Sequence, residues 1–325
     1  MSMKTNVFCL AGCLAALPIF AHAQPAGHYP TKPIRMIVPY APGGPMDYTG
    51  RMLGKVMAPA LGQQLVLDNR PGAGGALGAD IVAKSPPDGY TMLHTSNSHA
   101  TLPVLQILPY DPIKDFVPIT LLVNSVGFLF VAHPSVPARS VKEFVALAKS
   151  QPGKLTYGSG GIGNVMHFAA EIFDDKAGTR MLHVPYKGVG QAITDLVAGR
   201  IDTCFGPPTV LAPHVKAGRL KALGITALKR WSELPDVPTI AESGVKDYSY
   251  VVWYGLWFPA GTPDAIVTRM RSEIVKALDD PELKRGFADQ GFVPVGNTGA
   301  EFAKIIADDI SANKRLAAKI GLKPE

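Results

Sequence analysis

Short apolar, β-branched runs alternate along this chain with stretches whose apolar residues recur every three to four positions. The short runs predict strands at Ile34 to Pro39, Gln64 to Asn69, Thr91 to Thr95, Ile119 to Val123, Phe128 to Ala132, Lys154 to Gly158, Met181 to Pro185, Thr203 to Phe205 and Leu220 to Thr226. The helical periods fall at Pro45 to Met57, Gly75 to Lys84, Val141 to Ser150, Asn164 to Asp174, Ala192 to Ala198, Pro263 to Leu278, Pro281 to Gln290 and Ala300 to Ala317. Alternation of this kind predicts an α/β fold with a mostly parallel sheet. Pro and Gly are abundant but sit at element ends, where they punctuate the chain.

Two loops share one physical design. Tyr40-Ala41-Pro42-Gly43-Gly44-Pro45-Met46-Asp47 and Tyr157-Gly158-Ser159-Gly160-Gly161-Ile162-Gly163-Asn164 each leave a strand and open a helix. A helix N-terminus offers unpaired backbone N–H groups and the positive end of the helix dipole, so each loop is a nest suited to an anion, a carboxylate above all. Pro45 suits the first helical position, and Asp47 falls where its side chain can reach back to cap the helix start. A direct Asp47 contact with an anion would instead be repulsive.

The first 23 residues read as an export leader. Lys4 supplies the positive start, Val7 to Phe20 is apolar, and Ala21-His22-Ala23 gives the small residues of a cleavage site, so the mature chain is expected to begin at Gln24 in the periplasm. Leu10-Ala11-Gly12-Cys13 has the shape of a lipoprotein site, but the apolar run continues past Cys13 and leaves that alternative a very short core. The apolar run is too short to span a bilayer. Removal of the leader leaves 302 residues, enough for two domains, with 31 basic against 26 acidic residues, scattered rather than striped. That excludes a nucleic-acid footprint and can help draw in anionic solutes. Cys9 and Cys13 leave with the leader, so Cys204 has no internal disulfide partner and is expected to be a small core residue.

Familiar catalytic patterns are missing. The chain has no G-x-S-x-G, H-E-x-x-H or Walker-type loop, and its histidines lack metal-ligand spacing, so neither a metal nor a cofactor is expected. Gly158, Gly160 and Gly163 do satisfy G-x-G-x-x-G, yet the following strand ends in His183-Val184-Pro185-Tyr186-Lys187 without the acid a dinucleotide site requires. His99, in Ser96-Asn97-Ser98-His99 after a strand, either bonds loop backbone or borders the same cleft.

Several motifs in order resemble the Bug/TctC family, the periplasmic substrate-binding proteins of tripartite tricarboxylate transporters. They are Tyr29-Pro30, Pro33-Ile34, Pro39 to Asp47, Asn69-Arg70-Pro71-Gly72-Ala73-Gly74-Gly75, Pro87-Asp88-Gly89-Tyr90-Thr91, Val184-Pro185-Tyr186-Lys187-Gly188, Leu234-Pro235-Asp236-Val237-Pro238-Thr239 and Pro259-Ala260-Gly261-Thr262-Pro263. The resemblance implies a two-lobed binding protein of type II-like α/β architecture: two mixed β-sheets flanked by helices, with the ligand cleft between lobes. Lobe 1 would comprise residues 24–125 and 252–325, lobe 2 residues 126–251, with both crossings acting as hinges. Trp253-Tyr254-Gly255-Leu256-Trp257, near the second crossing, reads as interlobe core, with a ligand platform as the alternative.

Carried onto this chain, the resemblance implies ligand contacts from Tyr40, Ala41, Gly43, Gly44 and Asp47, with Asn97, Ser98 and His99 beside them. It implies second-lobe contacts from Ser159, Gly160, Gly161, Gly163 and Asn164, and a further loop at Gly206. Phe205-Gly206-Pro207-Pro208 stands where many members carry an acid or amide, and Val189-Gly190-Gln191 where Gly-Ala-Pro is usual; this acid-poor wall suits an aromatic or larger carboxylate. The expected function is non-catalytic capture of a small organic carboxylate by a monomer that delivers it to membrane transporter subunits. A secreted α/β hydrolase, or a ligand-sensing partner of a membrane receptor, are the alternatives.

Overall fold

The structure, a computed structural model, describes residues 29–321 and 324. The leader and the cleavage site expected after Ala23 lie outside the described residues.

The chain begins with strand β1 (Ile34–Val38), helix α1 (Pro45–Leu61), β2 (Leu65–Asn69), α2 (Ala76–Ala83), β3 (Thr91–Ser96), the short α3 (Ser98–Thr101) and the long β4 (Phe116–Ser125). It then crosses to a second sheet through β5 (Leu129–Ala132), α4 (Val141–Ser150), β6 (Thr156–Ser159), α5 (Val165–Ala177), β7 (Leu182–Pro185), α6 (Val189–Val197), β8 (Thr203–Gly206), α7 (Pro208–Lys216) and β9 (Lys221–Ile225). It returns as β10 (Trp253–Pro259), α8 (Asp264–Ala277), α9 (Pro281–Asp289), β11 (Phe292–Pro294) and α10 (Gly299–Ile320). The six-stranded sheet runs β11-β4-β10-β3-β1-β2, and the five-stranded sheet β7-β6-β8-β5-β9.

Both sheets are mixed, which corrects the mostly parallel arrangement expected from alternation alone. Only β1 with β2 and β3, and β6 with β7 and β8, pair in parallel. Strand β10 returns antiparallel between β3 and β4, and β5 runs antiparallel to both its neighbours. The sequence period cannot report the direction in which a strand re-enters a sheet after a crossing.

All seven residues of β10 are buried, because the strand is central and covered on both faces. Tyr254, Leu256 and Phe258 face the core shared with Met46 and Leu53 of α1, Ile274 of α8 and Phe287 of α9. Trp253 and Trp257 face the opposite core, with Phe302 and Ile306 of α10. Gly255 lies on that second face, where a Cβ would come within 2.1 Å of the Phe302 ring. The aromatic run near the second crossing is thus a central strand of the first sheet. The second sheet packs its own core from Phe130, Phe144, Phe173, Phe205 and Leu211, with Phe130 and Phe205 stacked at 4.3 Å.

Helix starts follow the expected chemistry. Ser140 accepts from the Glu143 N–H, Asp280 from two N–H groups of α9, and Thr298 forms a capping box with Glu301. Helix α7 escaped the sequence reading because Pro207-Pro208 and an internal Pro213 look like loop chemistry. Pro208 sits instead at the first turn, where its missing N–H costs nothing.

The two crossing segments run side by side and share one hydroxyl. Thr226 Oγ1 accepts the Phe128 N–H at 2.6 Å and donates to the Tyr250 carbonyl at 2.6 Å. Backbone bonds flank that junction, from Thr226 to Phe128 and from Ser125 to Val252.

Candidate functional site

Strand β1 delivers the loop 40–44 to α1. Gly43 adopts φ +84° in open space, so its glycine answers a conformational demand rather than a steric one. Gly44 is an extended N-cap without a side-chain cap and Pro45 follows it, which leaves the Met46 and Asp47 N–H groups free of intrahelical acceptors. Asp47 does not cap Gly44. Its carboxylate accepts the Gly43 N–H at 3.1 Å and takes two bonds of 2.9 Å from Arg51 one turn along. The Arg51 bond, aided by Gly43, holds its carboxyl below the usual carboxylate range despite burial.

The end of β3 supplies hydroxyls. Ser96 Oγ donates to Ser98 Oγ at 3.0 Å, Ser98 Oγ bonds the Tyr40 hydroxyl at 2.5 Å, and Tyr40 lies 3.2 Å from the Gly74 carbonyl. Asn97 turns away from this group and lines a second cavity of about 630 Å³ beside Asp309 and Tyr250. Of the two readings of His99, the bond to loop backbone is the one the structure shows, which corrects the ligand contact that the resemblance implied. His99 is 1 % exposed, donates from Nε2 to the Pro112 carbonyl at 2.8 Å, and packs against Tyr110, Phe116 and Trp257. Burial pushes its pKa down to about 4, so a neutral core histidine occupies a position whose Ser/Asn context suggested a cleft edge.

The second loop joins β6 to α5. Asn164 is the N-cap of α5, accepting from Met166 N–H at 2.9 Å, and Ile162, Gly163, Asn164 and Val165 face the first loop. Gly163, at φ +75°, packs so closely on Leu105 that a Cβ there would lie 2.6 Å from its side chain. Ser159, Gly160 and Gly161 lie behind this edge. Ser159 is fully buried, its Oγ accepting the Gly161 N–H at 3.1 Å and bonding His183 Nε2 at 2.7 Å. Gly206 also sits off the cleft, buried against Leu211. These four therefore shape or support the wall rather than form its surface.

Between the loops lies a cleft of about 810 Å³. Tyr40, Ala41, Gly43, Gly44, Asp47 and Ser98 line it from the first sheet, and Gly163 and Asn164 from the second. Sequence reading missed Ser96, Thr101, Leu102, Leu105, Val252 and Tyr254, which come from strand ends and turns far apart in the chain. Among the described residues that line it there is no Lys, Arg or His, and Asp47 is the only charged one. An anion here would meet helix-terminal N–H groups and hydroxyls against a largely apolar wall. Among the described residues, no cluster of three His, Cys, Asp or Glu is arranged to hold a metal ion.

Two mixed sheets, two crossings and a cleft faced by glycine loops from both sheets define a solute-binding protein of the periplasmic type. The chain belongs to the tripartite tricarboxylate transporter family receptor family, whose model matches residues 49–322. Its fold is similar to that of the periplasmic binding protein BugD, with 32% identity, a TM-score of 0.73, and coverage of 91% of this chain and 100% of that one. An R. palustris protein solved with adipate shares 30% identity, with a TM-score of 0.75 and coverage of 91% and 100%. MatC from Rhodopseudomonas palustris, solved with bound malate, shares 30% identity, with a TM-score of 0.71 and coverage of 89% and 99%.

Proposed function

We propose that this protein captures a small dicarboxylate between its two glycine loops, in the periplasm, for a tripartite tricarboxylate-type transporter. The observation that carries the reading is a cleft lined by two helix N-termini and by the hydroxyls of Ser96, Ser98 and Tyr40, which bond one another and Gly74 but whose protons can rotate toward a ligand, with no basic side chain among its described lining residues. Neutral, preformed donors suit a carboxylate that must be released again, since charge-assisted bonds to Arg hold more tightly. Adipate and malate in two family members support the ligand class.

The apolar stretch of wall formed by Leu102, Leu105, Ile162 and Val165 favours a ligand with an apolar spacer between its carboxylates. Titration calorimetry with adipate, malate and adipamide tests this. Adipate is expected to bind more tightly than malate, and adipamide hardly at all. A saturating carboxylate at 100 times its Kd would add about 2.7 kcal/mol of stability. Binding of neutral sugars or amines with no response to any carboxylate would overturn the reading.

Residues 24–125 with 252–325, and residues 126–251, are proposed as the lobes that close on the ligand. Capture is proposed to be non-catalytic: the cleft hydroxyls of Ser96 and Ser98 have no histidine or lysine base beside them among the described lining residues, and Cys204 is buried. The protein is proposed to act as a monomer, cleaved after Ala23.

A further inference from the structure

Behind the second loop, two histidine rings from different elements lie face to face. His167 of α5 and His183 of β7 stack at 4.1 Å with 8° between their planes, and Tyr157 of β6 continues the stack beyond His183 at 4.7 Å. Each histidine holds one part of the loop. His167 Nδ1 accepts the Gly163 N–H at 3.0 Å, and His183 Nε2 bonds Ser159 Oγ, which in turn accepts the Gly161 N–H.

These bonds set the charge state of the stack. An Nδ1 that accepts a hydrogen bond carries no proton, so His167 is neutral with its proton on Nε2. Adding a proton to Nδ1 would set two donors against each other at Gly163. Charging both rings would place two cations 4.1 Å apart. The surroundings are mixed in sign: Glu171, Asp174 and Asp175 of α5, Arg180 before β7, Tyr157 and Lys319 of α10. Glu171 lies 3.7 Å from His167 Nε2 and already accepts the Tyr157 hydroxyl. Burial outweighs these neighbours and lowers the pKa of both histidines to about 4.

We propose that the His167–His183 stack is the positioning element of the second-lobe ligand loop, and that protonating His167 releases Gly163 and loosens that half of the site. His167 and His183 act through the loop and touch no ligand. The inference rests on the cleft being the ligand site, but its first test needs no ligand.

The ring nitrogens of His167 and the amide of Gly163 can be followed by NMR in the full mature protein as the pH is lowered. The proton is expected on Nε2 at neutral pH, with ring and amide changing together near pH about 4. That step should vanish in His167→Asn, whose Oδ1 replaces the acceptor and cannot gain a proton, and persist in Glu171→Gln. A neutral proton on Nδ1, or a Gly163 step that survives in His167→Asn, would overturn the proposal. So would a step abolished by Glu171→Gln.

The second test uses adipate as the probe. His167→Leu, checked for folding by circular dichroism, is expected to weaken adipate binding about tenfold at neutral pH, the loss expected from one backbone bond left without its acceptor. His167→Asn should restore most of it, and equal losses in both variants would count against the acceptor role. If the wild-type protein ignores adipate, the proposed function is in difficulty, while the NMR result still decides the role of the stack.

Discussion

Arg51 grips Asp47 with two parallel hydrogen bonds of 2.9 Å across one turn of α1, at the mouth of the cleft. The pair is asymmetric, since the Arg51 side chain is 57% exposed and that of Asp47 only 7%. Arg51 therefore screens the one acidic side chain lining a site proposed for an anion.

Arg51→Ala should uncover the Asp47 charge and weaken adipate binding, by about three- to tenfold at low salt and less as salt rises. Asp47→Asn should bind at least as well as wild type, because the amide oxygen can still accept from Gly43. Calorimetry at two ionic strengths reads both. Tighter binding by Arg51→Ala would contradict the screening role.

Asp47 also gives the fold an acid-side dependence. Its pKa is lowered on folding, so its contribution is complete above the unfolded value of about 4 and drains away as pH falls through the folded value. The buried histidines act at higher pH. His99, neutral in the fold at a pKa of about 4 and near 6.5 when unfolded, favours the unfolded state as pH drops between those values. The slope from one such group is about 1.4 kcal/mol per pH unit. Urea melts of His99→Phe should show a flatter acid limb than wild type even though the neutral-pH stability is lower.

Gly163→Ala meets two obstacles, a left-handed backbone and Leu105. The backbone alone should cost roughly 1–2 kcal/mol, and the side-chain clash should push the loops apart and weaken adipate binding. Adding Leu105→Ala should recover only part of the binding, since Leu105 also lines the cleft, and part of the stability. A full recovery of both would mean that the backbone conformation is not strained.

Cys204 is fully buried and burial raises its thiol to about 12. Cys204→Ala should cost about 1–2 kcal/mol and leave adipate affinity within a few-fold. Thiol reagents should label the wild type only under unfolding conditions. Fast labelling of native protein would show an accessible thiol.

How much of this could be read from the chain varied with the kind of signal. Both glycine loops were legible because each couples a strand, a turn signal and a helix start within about ten residues. Ser96, Thr101 and Tyr254 were not, since the pairing of β3 with β1 brings the first two beside Tyr40 and that of β10 with β3 adds Tyr254. His99 misled because its polar neighbours are visible in sequence, whereas Tyr110, Phe116 and Trp257 reach it only through the fold. The direction of β10, and hence the mixed character of the first sheet, depends on a crossing that local periodicity does not encode.

The Thr226 hydroxyl bridging Phe128 and Tyr250 ties the two crossings to each other. A joint of that kind behaves as a fulcrum. If the proposed lobes turn about it, a small displacement where a ligand draws the glycine loops together would become a correlated swing of the outer faces of both lobes, far from the ligand itself. Occupancy of the cleft would then be legible from outside as a change in the spacing of those faces, a shape that a membrane partner can test without touching the cargo.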